Sequence, residues 1–196
     1  FDLIHAHDWM AFPAAIKLQE KTHKPFVAHI HSTEFDRIPG GNVSHYIAHT
    51  EYLGLQRADK VIAVSEFTKK VLIEKYFVDP TKIEVVHNGI TPLSSSPQLT
   101  PTFAAKRPVI VFMGRLTAQK GVEYFLELAR AVTKQIPGAL FVVAGNGDQY
   151  YSLLFRSADQ QLSASVLFSG FVRDRERELL LDRADVFVMP SLSEPF

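Results

Sequence analysis

The chain has 196 residues and no formal net charge, because 21 lysines and arginines balance 21 aspartates and glutamates. Hydrophobic residues make up 46% and charged residues 21%, which is typical of a globular protein of one or two domains and excludes a disordered chain. The absence of cysteine excludes disulfides, thiolate metal sites and cysteine nucleophiles. No apolar run approaches the roughly 20 residues of a transmembrane helix, and the neutral charge gives no general attraction for nucleic acid.

The first half alternates short apolar runs with longer amphipathic ones. The predicted strands are 1–5, 25–30, 60–64 and 82–86, and the predicted helices are 10–21, 44–57 and 65–76. Ser65 is the expected N-cap of the third helix, because its hydroxyl can accept from free backbone N–H groups. Strand–helix alternation with nearly continuous apolar strands predicts parallel βαβ units with a sheet buried on both faces.

The stretch 91–107 (TPLSSSPQLTPTFAAKR) carries three prolines and a serine triplet without periodicity, and it is interpreted as a linker. The pattern then restarts, with strands predicted at 109–113, 139–144, 166–168 and 186–189, and helices at 119–135, 150–161 and 173–181. The predicted domains are therefore 1–90 and 108–196.

The segment 114–121 (GRLTAQKG) is the most specific motif in the second half. It follows a predicted strand at Gly114 and opens a predicted helix, whose first N–H groups and dipole favour an anion. Arg115 offers a planar fork for phosphate oxygens and Lys120 a mobile point charge, so the pair suits a diphosphate. The alternative is a helix start with ordinary solvated charges.

A second glycine turn, Gly145-Asn146-Gly147, follows the next predicted strand. Two glycines in a strand–helix turn are a weak signal, and a plain tight connection is the favoured interpretation of this turn taken alone. The third glycine of the dinucleotide-binding fingerprint is missing, which disfavours a dehydrogenase.

Two His-x-His pairs, His5/His7 and His29/His31, each place both imidazoles on one face of a predicted strand. With Asp8 they could ligate zinc in a metal-activated hydrolase, or they could simply be hydrogen-bonded structural groups. Glu194 follows the last predicted strand, where it is either a functional carboxylate or an exposed loop acid.

Several ordered motifs together resemble a known family. GRLTAQKG, SGFV and the final PSLSEPF are similar to the donor-binding half of family-4 retaining glycosyltransferases. HAHDW, HSTEFDR, ADKVIAVSEFTKKVL and KIEVVHNGI are similar to the acceptor-side half, and HAHDW in particular resembles glycogen and starch synthases. The similarity covers nearly all of the chain except the stretch 91–107.

This resemblance implies an α/β protein of two Rossmann-like parallel-sheet domains, the GT-B fold, with a cleft between them. By position in the motifs, Arg115 and Lys120 would hold the donor diphosphate, with Gly114 and Gly145 in the same donor site. The backbone around Phe171 and Val172 would contact the base, and Glu194 would face the donor sugar. His31 would lie near the anomeric carbon and Asp8 would line the cleft, while no residue is assigned as a metal ligand or covalent nucleophile.

The implied activity is retaining transfer of a hexose from a nucleotide sugar (UDP-, ADP- or GDP-hexose) to a saccharide or other hydroxyl acceptor, possibly an α-glucan. No cofactor or metal, no nucleic-acid partner, no transmembrane segment and a cytoplasmic location are expected. A non-catalytic nucleotide-sugar-binding module remains the first alternative, and a histidine-ligated metallohydrolase the second; a sugar-nucleotide epimerase is disfavoured by HAHDW and the EPF ending.

The sequence departs from the family pattern in three places. The family's glycine-rich loop would precede Phe1, the second glutamate of its Glu-x7-Glu motif would follow Phe196, and Ile90-Thr91 stands where many relatives have an aspartate. The chain is therefore expected to be a segment of a longer enzyme, partial in both domains and inactive by itself.

Overall fold

A computed structural model describes residues 1–38, 40–90 and 107–196 of the chain. The chain divides into two units: the first unit is Phe1–Thr91 together with Ser193–Phe196, and the second unit is Pro92–Leu192. The predicted linker at 91–107 lies outside the described residues except for Arg107. The assignment of one half to the acceptor and the other to the donor stays a prediction.

The first unit is a four-stranded parallel sheet in the order β1-β2-β3-β4. Its strands are β1 (Ile4–His7), β2 (Phe26–Ile30), β3 (Lys60–Ala63) and β4 (Ile83–Val85), and its helices are α1 (Asp8–Thr22), α2 (Glu34–Arg37), α3 (His45–Arg57) and α4 (Glu66–Tyr76). As predicted, the Ser65 hydroxyl caps α4 by accepting from the backbone N–H of Thr68 at 3.1 Å. A 3-10 turn at Pro80–Lys82 precedes β4.

The core of this unit lies on one face of the sheet. Alternate residues of β1 and β2 are buried against apolar side chains of α1, α3 and α4. The intervening residues of β1 and β2 include His5, His7 and His29, which are exposed or half-buried. The prediction of a sheet buried on both faces is therefore not met in this unit, because histidines occupy every second position at the strand ends.

The second unit is also a four-stranded parallel sheet, in the order β7-β6-β5-β8. Its strands are β5 (Val109–Met113), β6 (Leu140–Ala144), β7 (Val166–Gly170) and β8 (Val186–Phe187), and its helices are α5 (Val122–Thr133), α6 (Tyr150–Asp159) and α7 (Asp174–Arg183). The first four residues of β5 are buried, and the predicted stripe of α5 is buried at Val122, Phe125, Leu126 and Ala129. Both units confirm the predicted parallel α/β fold class.

Two local predictions were wrong. The helix predicted from 119 is a 3-10 turn at Ala118–Lys120 followed by α5 from Val122, because Gly121 adopts a left-handed conformation with φ +63° and breaks the helix. The predicted strand 1–5 is displaced to β1, because parallel pairing with β2 begins only at Ile4 opposite Phe26.

Among the described residues, no helix is both long enough and apolar enough to cross a lipid bilayer.

Candidate functional site

Four imidazoles form a cluster on one face of the first unit, and we call His5, His7, His29 and His31 the histidine ladder. Parallel register places His7 directly opposite His29. His5 Nε2 lies 3.3 Å from His29 Nδ1, and His7 Nδ1 lies 2.9 Å from His31 Nε2. The rings of His29 and His31 are stacked with centroids 4.3 Å apart. The two predicted His-x-His pairs are thus brought into direct contact across the strands.

Two members of the ladder, His7 and His29, are held in the neutral form. Burial, reinforced by the neighbouring imidazoles His31, His7 and His5, lowers the pKa of His29 to about 4. Desolvation, followed by the charges of His5 and His31, also lowers the pKa of His7. Near pH 7 these rings therefore offer one donor and one lone pair each, without a positive charge.

Asp8 connects the carboxyl ends of β1 and β2. Its Oδ1 accepts a hydrogen bond of 2.9 Å from the backbone N–H of His31. Asp8 has φ +56°, a left-handed conformation that costs a non-glycine residue about 1–2 kcal/mol and that aspartate tolerates better than most. Such strain is concentrated at functional sites. The hydrogen bond from His31 thus brings together Asp8, which was predicted to line the cleft, and His31, which was predicted to lie near the anomeric carbon.

A buried ionic network supports the backbone next to His31, and sequence reasoning missed it. Arg37 Nη2 donates to the carbonyl of Ser32 at 2.6 Å, and its Nη1 pairs with Glu34 at 3.3 Å and with Glu51 at 3.1 Å. The other oxygen of Glu51 accepts from the backbone N–H of Glu34 and from the Tyr76 hydroxyl.

The network has opposing effects on the acidity of Glu51. Burial raises the pKa of its carboxyl, and hydrogen bonds from Tyr76 and Glu34 together with the charge of Arg37 oppose that rise. Burial and Glu51 in turn raise the pKa of the Tyr76 hydroxyl. The sequence signal was available, because Glu51 precedes the buried Gly54 and Leu55 by three and four residues and so lies on the apolar face of α3.

The short helix α2, also missed from sequence, carries Glu34 and Arg37. A capping box starts it: the Asp36 carboxylate accepts from the N–H and hydroxyl of Thr33, both at 2.8 Å. Four residues are too few to show helical periodicity, so Thr33 and Asp36 were its only signature.

Glu194 lies in the last four residues, which the structure groups with the first unit although the sequence placed them in 108–196. The carbonyl of Pro195 accepts hydrogen bonds from the Ser65 hydroxyl and, at 2.9 Å, from the Thr68 hydroxyl. The N-terminus of α4 thereby anchors the segment, and Glu194 itself is half-buried.

In the second unit, Arg115 and Lys120 follow β5, the strand that has further strands of the chain on both of its sides. From β5 the chain adds β6 and β7 on one side and β8 on the other. In open α/β sheets, ligands bind outside the carboxyl ends of the strands at this switch point. The 3-10 turn contacts the segment after β8, since Leu192 N–H donates to Gln119 carbonyl at 2.8 Å. Arg115 is exposed and Lys120 half-buried at this position.

Glycines allow the loops after β5 and β6 to approach each other closely. Gly145 has φ +147°, and a Cβ there would lie 1.8 Å from the carbonyl oxygen of Gly114. A Cβ on Gly147 would lie 2.4 Å from the carbonyl oxygen of Leu116. The backbone N–H of Leu116 donates a hydrogen bond of 3.0 Å to the carbonyl of Asn146. The two predicted donor-site glycines are thus in contact, and Gly147, which was not chosen from sequence, is a third position without room for a side chain.

Phe171 and Val172 follow β7 at the edge of the same sheet. Gly145 N–H donates to the carbonyl of Gly170 at 2.7 Å, which ties this segment to the glycine loops. The exposed Phe171 ring is covered by the guanidinium of Arg173, 5.1 Å from its centroid. The Val172 side chain lines an apolar cavity of about 350 Å³ beside α7.

Comparison with known proteins identifies the class to which both units belong. Residues 1–92 match the model of Glycosyltransferase Family 4, and residues 100–196 match the model of Glycosyl transferases group 1. The chain therefore belongs to the glycosyltransferases, as its motifs predicted.

Two curated relatives make the comparison more specific. An uncharacterized glycosyltransferase of Methanocaldococcus jannaschii is 34% identical over 210 residues, with 100% of this chain and 53% of the relative covered. The glycogen synthase of Mycobacterium tuberculosis is 30% identical over 203 residues, with 100% and 48% covered. The chain thus spans about half the length of the curated relatives it matches.

Solved structures agree on the GT-B fold. Anabaena HepE in complex with UDP and glucose matches with a TM-score of 0.82 at 21% identity, covering 100% of this chain and 55% of that one. Sucrose-phosphate synthase from Thermosynechococcus elongatus matches with a TM-score of 0.80 at 20% identity, covering 100% and 52%.

The Glu51 network should make a large contribution to stability. Replacing Glu51 by alanine removes one of the two buried carboxylates that pair with Arg37 and leaves the Glu34 N–H and the Tyr76 hydroxyl without an acceptor, so it should lower the free energy of unfolding by about 3 kcal/mol. Glu20→Ala, which breaks an exposed pair with Arg57, should cost less than about 1 kcal/mol. Urea denaturation of both variants tests this, and equal losses would contradict it.

The low pKa of His29 predicts a loss of stability in acid. Between pH 6.5 and about 4, His29 binds a proton in the unfolded chain but not in the folded protein. The free energy of unfolding therefore falls as pH falls through this window. His29→Gln should flatten the decline in melting temperature from pH 7 to pH 5, and His23→Gln, at an exposed position, should not. An unchanged slope in His29→Gln would contradict the assignment.

The approach of the glycine loops predicts a steric cost. Gly145→Ala should destabilise the chain by about 2 kcal/mol or more, because its Cβ meets backbone that cannot rotate away. Gly138→Ala, where nothing lies within 4 Å of the added Cβ, should change stability by no more than about 0.5 kcal/mol. Urea denaturation monitored by circular dichroism measures both, and a neutral Gly145→Ala would show that the loops are not so close.

Proposed function

We propose that the protein transfers a hexose, with retention at the anomeric carbon, from a nucleoside-diphosphate sugar to a hydroxyl of a saccharide acceptor. The observation that carries this proposal is the position of Arg115 and Lys120 in the loop after β5, at the switch point of the sheet, where open α/β sheets generally bind ligands. UDP-, ADP- and GDP-hexoses are the donors to test, since the HepE structure contains UDP and glucose.

On the donor side, the main requirement of this reaction is to stabilise the charge that develops on the leaving group. As the glycosidic bond breaks, the sugar ring becomes positive and the departing diphosphate gains negative charge. Arg115 can hold two phosphate oxygens at once and Lys120 supplies a second cation, so the leaving group is stabilised without a metal ion. Preorganised donors of this kind are worth about 3–4 kcal/mol each in the transition state.

The remaining donor-side residues have positioning roles. Close contact between Gly114 and Gly145 leaves the strand ends free of side chains, so a diphosphate can approach the backbone. The backbone at Phe171 and Val172 contacts the base, and Glu194 binds hydroxyls of the donor sugar.

His31 and Asp8 act on the side of the anomeric carbon. Asp8 fixes the backbone of His31, and the bond from His7 orients its ring, so that the imidazole binds sugar hydroxyls. The departing phosphate itself accepts the proton of the attacking hydroxyl, so neither residue is a covalent nucleophile. An α-glucan is the first acceptor to test, because one of the relatives is a glycogen synthase.

Removing either cation should reduce transfer. In the full-length protein, Arg115→Ala and Lys120→Ala should each lower kcat/KM for the donor by about 100-fold, because the charge on the leaving group loses a partner. Lys134→Ala removes the same charge from an exposed position beyond the far end of α5 and should leave kcat/KM unchanged.

A radiolabelled donor screen measures the transfer, and calorimetry with the same sugar nucleotides measures binding. Full activity in both Arg115→Ala and Lys120→Ala would contradict the proposed site. Tight donor binding without any turnover in the intact protein would instead identify a binding module.

A further inference from the structure

The histidine ladder has a property that the proposed transfer does not use. We propose that His5, His7 and His29 form a binding site for a divalent transition-metal ion, with Zn²⁺ as the best fit, and that His31 supports it from outside the ligand set. This site is independent of the donor loop, and the proposed glycosyl transfer needs no metal.

The distances between the imidazoles suit a metal. One ligand nitrogen from each of His5, His7 and His29 lies within 4.8 Å of the other two. Zinc binds imidazole nitrogen at about 2.0–2.1 Å, so two ligands of a tetrahedral site are about 3.4 Å apart. His5 Nε2 and His29 Nδ1 already stand 3.3 Å apart. The third ligand comes from the exposed ring of His7, whose nitrogen lies within the same 4.8 Å of the other two.

The backbone determines this convergence. His5 and His7 are two residues apart on β1, and His29 is the register partner of His7 on β2. A strand turns alternate side chains to the same face, and adjacent strands lie about 4.8 Å apart, so three rings meet without any special loop. The ligand set is therefore carried by the rigid part of the first unit.

One nitrogen of the cluster lacks a protein partner. His29 Nε2 is buried and has no hydrogen bond to any residue that the structure describes. Because His29 Nδ1 is the nitrogen that faces His5, the unpaired Nε2 would carry the ring proton when Nδ1 binds the ion. Imidazole ligands favour Zn²⁺, Ni²⁺ and Cu²⁺ over Mg²⁺ and Ca²⁺, which prefer oxygen.

His31 and Asp8 complete the arrangement in the outer layer. Metal-binding histidines usually use their second ring nitrogen for a hydrogen bond that fixes the ring and its tautomer. His7 has such a bond, from Nδ1 to His31 Nε2 at 2.9 Å, and Asp8 holds the backbone of His31. His31 is therefore a positioning residue for the metal, and a water molecule is the expected fourth ligand.

The test is metal binding by the full-length protein without a polyhistidine tag. Titration calorimetry with ZnCl₂ should give one site per chain, and Co²⁺ should produce the visible absorption of a tetrahedral complex. The double variant His5→Gln/His29→Gln should bind Zn²⁺ at least 100-fold more weakly. His31→Ala should weaken binding by about 10- to 100-fold, the usual effect of losing an outer-layer partner.

The chain provides a matched control. His45 and His49 are exposed and lie one helical turn apart on α3, a spacing that can also hold a metal weakly. His45→Gln/His49→Gln should leave the affinity unchanged; loss of binding in this variant, or no stoichiometric Zn²⁺ in the native protein, would overturn the proposal. Circular dichroism checks folding, and His5→Gln alone, at an exposed position, replaces the double variant if that one does not fold.

Discussion

Parallel strand pairing is the constraint on which both candidate sites depend. Because all strands of a parallel sheet run the same way, their carboxyl ends reach one edge, and every loop that leaves that edge is brought near its neighbours. In the first unit this places Asp8 against the backbone of His31. In the second unit it places Gly114 against Gly145. Neither pair is close in sequence, so the sheet alone explains why residues of separate motifs meet.

The same constraint sets different requirements in the two units. In the second unit the loops must pack closely, so there is no space for side chains at the contact points and glycines occupy them. In the first unit the loops are held by side chains: Asp8 accepts from one backbone N–H, and Arg37 binds the carbonyl of Ser32 while Glu34 and Glu51 hold its guanidinium. A buried charge is tolerated there because each member has a charged or hydrogen-bonded partner.

Sequence reasoning could recover features whose cause is local. Strand–helix alternation predicted the parallel sheets, the Ser65 cap was read from one residue type, and strand 109–113 was placed correctly because its apolar run is continuous. Features that depend on pairing were not accessible: each His-x-His pair was visible, but contact between His7 and His31 requires the register of β1 on β2. The break at Gly121 was missed because a glycine in a helical pattern does not reveal its φ. The role of Glu51 was missed because its partners come from α2 and α4, which are distant from it in sequence.

The histidine ladder shows how one arrangement can serve two purposes. The imidazoles at the ends of β1 and β2 have ring nitrogens that can orient sugar hydroxyls by hydrogen bonding. The packing of His5, His7 and His29 against one another also brings three nitrogens within reach of one ion. A metal held by His5, His7 and His29 would fix His7, and through it the ring of His31. The position of His31 would then depend on whether the ladder is occupied, although the proposed transfer involves no metal.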